Sequence, residues 1–212
     1  FKSISGCTNE GTIRAAGTRN YNAYTAGIAG YVSSTSEGIS DCVNRGDVIS
    51  EFIYNNSFTA YNNYTGGIAG LCVRGTVEGC ENTGDVTVVR YGEKTGSDYE
   101  GGIAGYAGYS GEYLYNCSNT GDISMHSAAA VTYFGYVGGA FGYLANGTVY
   151  NCYNTGDVTV GSNLQTGSGL GKFTGYIAAA AKLYNCYVTG QLILNDDAED
   201  ESGKTAYSRA AI

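Results

Sequence analysis

The sequence predicts an all-β fold, a parallel β-solenoid (β-helix) of about five to six coils with roughly 35 residues per coil. Three observations lead there. A cysteine-marked block recurs along the chain at near-constant spacing. A glycine-rich block precedes it in each unit. The composition favours strand over helix: the 212 residues include 34 Gly and 21 Tyr, with no Pro and no Trp. Gly costs about 0.8–1 kcal/mol at a helix position, whereas Val, Tyr and Thr suit a pleated surface. Disorder would need few aromatics and much charge, yet charged residues are 14% and apolar ones 43%. Collagen would need Gly at every third residue and abundant Pro.

The first block reads Gly6-Cys7-Thr8-Asn9-Glu10-Gly11, then Asp41-Cys42-Val43-Asn44-Arg45-Gly46-Asp47-Val48 and Gly79-Cys80-Glu81-Asn82-Thr83-Gly84-Asp85-Val86. It returns at Cys117, Cys152 and Cys186. Separations between cysteines 7, 42, 80, 117, 152 and 186 are 35, 38, 37, 35 and 34 residues. The second block reads Ala26-Gly27-Ile28-Ala29-Gly30-Tyr31, Gly66-Gly67-Ile68-Ala69-Gly70-Leu71 and Gly101-Gly102-Ile103-Ala104-Gly105-Tyr106, and drifts in later copies.

Each unit supplies three strand candidates: the Gly-Ile-Ala-Gly segment, the segment through Cys, and an Asp-Val-Thr-Val segment such as 157–160. Turns are expected at Asn-Thr-Gly-Asp, where Asn and Gly tolerate positive φ. The variable stretch between units, such as 50–65, reads as loop. One such unit cannot bury its apolar face alone, whereas stacked units can, with rungs about 4.8 Å apart. A propeller blade would need four strands and about 40 residues or more. A right-handed coil is expected, because tight hexapeptide periodicity is absent. Residues 1–195 form a single repeat solenoid, and 196–212 an acidic tail or the start of a further coil. The chain opens in mid-repeat, which reads as a mature fragment.

The paired blocks resemble the GLUG repeat of bacterial surface proteins, found in haemagglutinin-like adhesins and in the IgA-specific metallopeptidases of Gram-positive bacteria. The resemblance spans roughly residues 5 to 195. It implies export, a β-solenoid and a role at the cell surface. It does not imply peptidase activity, because the His-Glu-x-x-His zinc motif of those enzymes is absent and His126 is the only histidine.

Net charge is −8, with 11 Lys and Arg that form no stripe. Nucleic acid and anionic membrane surfaces are therefore not expected partners. The apolar stretch 128–145 falls in register with the repeats and reads as buried strand, so no membrane insertion is expected.

Cys42, Cys80, Cys117, Cys152 and Cys186 are expected to stack in a ladder of buried thiols, with Cys7 at the same repeat position. A disulfide between rungs and a metal site are the alternatives; parallel side chains disfavour the disulfide torsion, and zinc sites want closer pairs. Cys72 reads as core filler. Asn44, Asn82, Asn119 and Asn154 suit an amide ladder. Asp47, Asp85, Asp122 and Asp157 would repel if stacked, so they cap turn N–H groups or hold calcium between rungs. Tyr54, Tyr61, Tyr64, Tyr91, Tyr99 and Tyr109 are read as loop tyrosines that could form a face for a glycan or protein. No catalytic residue and no cofactor is expected.

These readings point to a non-enzymatic extracellular surface module: an adhesin segment, stalk or spacer. Its partner would be a glycan or a protein of a host or neighbouring cell. End-to-end self-association into a filament is one alternative. A carbohydrate-active β-helix enzyme is the other, although the acidic residues recur as copies instead of forming one irregular cluster.

Overall fold

The computed structural model describes residues 3–19, 21–33, 38–54, 61–91, 96–108, 113–127, 134–161, 164, 167–195 and 208–209. Tyr109 lies outside them, as does most of the 196–212 tail. The described chain is all-β and winds into a β-solenoid of about 5 turns, with about 35 residues per turn. Every strand pairs in parallel with its equivalent one coil away, which gives four six-stranded sheets and one five-stranded sheet. A propeller is thereby excluded, since its strands would pair within a blade.

One stretch shows the plan. Its strands are Thr76–Glu78, Glu81–Asn82, Val86–Tyr91, Ser97–Gly101 and Ala104–Ala107. We number the corresponding sheets one to five. The expected three strands per coil are thus five. Cys80 sits at a break between two short strands, not inside one. The Gly-Gly-Ile block is a bend between the fourth and fifth sheets. The variable stretch carries a strand of its own, such as Asn63–Gly66, where a loop was expected. Its equivalents Ala23–Ala26 and Ser97–Gly101 alternate between buried and more open residues, a period-2 pattern hidden by the differing lengths that precede it.

Positive φ falls at the residue before each of the six repeat cysteines: Gly6, Asp41, Gly79, Asn116, Asn151 and Asn185 have φ between 51° and 64°. Only Gly, Asn and Asp occupy this corner, as the left-handed region requires. The glycine of Asn-Thr-Gly-Asp meets a different constraint. At Gly84 an added Cβ would overlap the carbonyl oxygen of Gly46 on the neighbouring coil, so the turn demands close approach.

Two large apolar clusters fill the interior, with a small third one around Ala23 and Phe52. One contains Val32, Ile68, Val77, Ile103, Phe141 and the buried cysteines. The other contains Val48, Val86, Ile123, Val137 and Val160. A spine of asparagines from the second sheet runs through the same interior. Asn9 donates its amide to Asn44 Oδ1 at 2.7 Å, Asn44 to Asn82 at 2.7 Å, Asn82 to Asn119 at 2.6 Å, and Asn119 to Asn154 at 2.7 Å. The second N–H of Asn82 meets the Gly84 carbonyl at 2.8 Å, a bond repeated in the other coils. Asn154, with no Asn above it, donates to the Lys172 carbonyl at 2.9 Å. Fully buried amides are tolerated because their N–H groups are used.

The spine explains why the two sequence blocks travel together. A Cβ on Gly67 would overlap the side chain of Asn82, and one on Gly102 that of Asn119. Each second glycine makes room for the asparagine that follows it in sequence.

Candidate functional site

Tyrosine dominates one side of the solenoid. On the fourth sheet, Tyr24, Tyr64, Tyr99 and Tyr136 are in register. Their rings stack nearly parallel, with centroids 5.3, 5.0 and 5.2 Å apart. On the fifth sheet, Tyr106, Tyr143 and Tyr176 form a second column, stacked at 5.1 and 4.7 Å. Leu71 takes the tyrosine position between Tyr31 and Tyr106. The columns meet edge to face: Tyr99 lies 5.4 Å from Tyr106 at 89° and 5.7 Å from Tyr143 at 82°. The result is a herringbone of aromatic rings, in which both offset-stacked and T-shaped contacts are favourable.

Local sequence places these rings. In Asn63-Tyr64-Thr65 and Asp98-Tyr99-Glu100 the flanking residues point inward, so strand alternation turns each tyrosine out. In the fifth sheet each column tyrosine follows a glycine, Gly105, Gly142 or Gly175. A polar column borders the herringbone. Asn22 Oδ1 accepts the Asn62 backbone N–H at 2.8 Å, and Asn62 Oδ1 accepts that of Ser97 at 3.0 Å. The Asn62 amide donates to the Tyr64 hydroxyl at 3.0 Å. Tyr24, Tyr31 and Tyr176 are exposed, whereas Tyr64 is 9% exposed. Burial holds the phenols of Tyr64, Tyr136 and Tyr143 above their usual pKa, and that of Tyr99 is pushed up to about 12. The inner rings are covered by their neighbours, so the face offers ring edges and phenol oxygens, with the rings of Tyr24 and Tyr176 exposed at column ends.

Of the tyrosines expected in loops, Tyr64 and Tyr99 are strand residues at the heart of this face, brought together by register. Tyr61 is half-buried just before the Asn63–Gly66 strand. Tyr54 and Tyr91 end strands of the third sheet, away from the columns, with Tyr91 exposed and opposite Ile53. Tyr136, Tyr106, Tyr143 and Tyr176 were not singled out by sequence. For Tyr106, Tyr143 and Tyr176 the signal was a recurring Gly-Tyr, and Tyr136 precedes the glycine block as Tyr64 and Tyr99 do, but filler and face tyrosines look alike without register.

The cysteines are free thiols. Cys42, Cys80, Cys117 and Cys152 are buried, Cys186 is half-buried and Cys7 is exposed. In these four buried cysteines the Sγ–H points to the carbonyl two residues earlier, as Cys80 does to Glu78 at 3.2 Å and Cys152 to Tyr150 at 3.2 Å. Burial pushes the Cys42 thiol pKa up. Cys72 is buried in the fifth sheet between Val32 and Ala107.

The aspartates stack the turns. Asp47 Oδ1 accepts the Asp85 backbone N–H at 3.2 Å, Asp85 that of Asp122 at 2.9 Å, Asp122 that of Asp157 at 2.8 Å, and Asp157 that of Gln191 at 2.8 Å. A hydrogen-bonded N–H offsets part of the repulsion between successive carboxylates. Among the described residues no three His, Cys, Asp or Glu side chains gather around one point.

One further cluster left no trace in the sequence pattern. Arg90, Asp98 and Glu100 are buried inside the third and fourth sheets at 1%, 1% and 0% exposure. Arg90 pairs with Asp98 at 3.2 Å. Both partners come from the same coil, in the strands Val86–Tyr91 and Ser97–Gly101.

Taken together, the fold and its surface define a β-solenoid repeat protein with an aromatic face. No protein-family model, curated protein or solved structure matches the chain.

Proposed function

We propose that the chain is a non-enzymatic extracellular surface module, an adhesin segment or stalk, that binds an extended glycan along its tyrosine columns. The observation that carries this reading is the herringbone of Tyr64, Tyr99, Tyr136, Tyr106 and Tyr143. It lines up phenol groups at the rung spacing of about 4.8 Å on a stiff support. A rigid aromatic with a polar tip loses little conformational entropy on binding. An extended polysaccharide offers repeated hydroxyls to match such a row, with C–H faces for the exposed rings at the column ends. The repeat-borne aspartates are engaged with backbone N–H groups, which supports a structural role for them over general acid–base work. The GLUG-like blocks support the surface location.

A glycan array probed with the purified chain, with and without calcium, tests the reading, with light scattering for mass. Selective binding to extended glycans is expected. It should weaken about tenfold in a Tyr106→Ala/Tyr143→Ala variant, the loss of roughly 1.4 kcal/mol of aromatic contact. Tyr150→Ala, on the first sheet, should bind normally. A stable monomer that binds no glycan would leave a passive spacer. A large polymer would favour self-assembly.

A further inference from the structure

We infer that Glu100 is a proton-binding site inside the solenoid, and that loss of its proton releases the strand Ser97–Gly101 and with it Tyr99. The inference concerns the support beneath the tyrosine face and holds whether or not that face binds glycan.

In Asp98-Tyr99-Glu100 the tyrosine points out, so both carboxyls point in. Asp98 and Arg90 form an ion pair at 3.2 Å. One guanidinium balances one carboxylate, and Glu100 brings a second. Its side chain is 0% exposed, and neither carboxyl oxygen has a hydrogen-bond partner. An ionised carboxylate so placed costs several kcal/mol, and the usual escape is neutralisation. A proton achieves this without occupying space.

Among the described residues packed on this strand there is no other counter-charge. The inward residues of the strands packed on Ser97–Gly101 are Asn63 and Thr65 from one coil, and Gly135 and Val137 from the next. Val88 and Arg90 come from the third sheet of the same coil, with Met125 above, and Ala104 and Phe141 from the fifth sheet. Among these described residues Arg90 and Asp98 are the only charged groups. Burial first, and the Asp98 charge second, raise the Glu100 pKa well above the usual carboxylate value; a contact with the Val88 backbone offsets only part of this.

The sign follows from linkage. The folded chain holds a proton that the unfolded chain releases near pH 4.5. Stability from the protonated carboxyl is therefore full below that pH. It is lost as pH rises toward the folded pKa, by up to about tenfold in the folding constant per pH unit. The charge appears within one strand whose neighbours carry none at these positions, so the response centres on Tyr99 and its stacked partners, Tyr64 and Tyr136.

Infrared spectroscopy of the wild-type chain in D2O at neutral pH tests the proton directly. A carboxylic-acid C=O band is expected, and it should be missing from Glu100→Gln. Its absence from the wild type would overturn the inference. The pH is then raised until the band disappears, while near-UV circular dichroism follows the tyrosines. A dichroism change with the same midpoint is expected. Loss of the band with unchanged dichroism would overturn release of the strand. Both readouts use the wild-type chain, so they stand even if Glu100→Gln fails to fold.

Discussion

The side-chain amide of Asn82 bonds the side-chain oxygen of Asn119 at 2.6 Å across 37 residues of sequence. This bond is one link of a spine that fixes the register of successive coils. A one-residue slip would break every link and turn each buried residue outward. Asn119→Leu is expected to destabilise the chain by about 2–4 kcal/mol: two donor bonds vanish and the oxygen partners on its neighbours lose their donors. Urea unfolding would measure it, and a shift below about 0.5 kcal/mol would contradict the role given to the spine.

The glycine opposite the spine should be as sensitive. Gly102→Ala places a Cβ into the Asn119 side chain, whereas Gly11→Ala meets nothing within 4 Å. The first is expected to cost about 1–3 kcal/mol through overpacking, and the second less than about 0.5 kcal/mol. Thermal unfolding of the two variants side by side compares them. Equal midpoints would show that the glycine block is not retained for space.

Alkaline titration should separate the tyrosines. Exposed phenols ionise near pH 10, while Tyr99 ionises at about 12 because it is buried. The ultraviolet phenolate signal is expected to rise in more than one step, with Tyr99→Phe removing part of the last. A phenol whose pKa is raised by folding contributes stability that is complete below the unfolded value of 10.0. That contribution is lost as pH climbs from there toward about 12. A single step centred near 10 would place Tyr99 in solvent.

Thiol chemistry reports on the cysteine column. Cys7 is exposed and Cys186 half-buried, while Cys42, Cys72, Cys80, Cys117 and Cys152 are buried free thiols. A water-soluble disulfide reagent is expected to modify Cys7 quickly, Cys186 more slowly and the other five only with denaturant. Mass spectrometry of the folded, briefly labelled chain would identify the sites. Early labelling of Cys117 would mean that the column is open.

Removing a turn carboxylate should have a smaller effect. Asp122→Ala frees the Asp157 backbone N–H at a cost of about 0.5–1.5 kcal/mol, and Asp122→Asn, which keeps an acceptor, should recover most of it. Chemical denaturation of both variants, with and without calcium, checks this and asks whether the cation adds stability through the same carboxylates.

The sequence by itself determined the period, the parallel stacking and two columns, a cysteine in every unit and an asparagine in all but the last, where Val188 replaces it. It could do so because equivalent residues in a solenoid sit in equivalent environments, so the physical constraint is written once per coil. The pairing of Gly102 with Asn119 was visible as two blocks travelling together, although not its cause. Tertiary structure alone decided the rest. Unequal spacing between units hid the fourth strand of each coil, and with it the register that stacks Tyr64 on Tyr99. The Arg90–Asp98–Glu100 cluster belongs to one coil, so no repetition announced it. Only folding, by closing the third sheet against the fourth, buried two carboxyls and one guanidinium together.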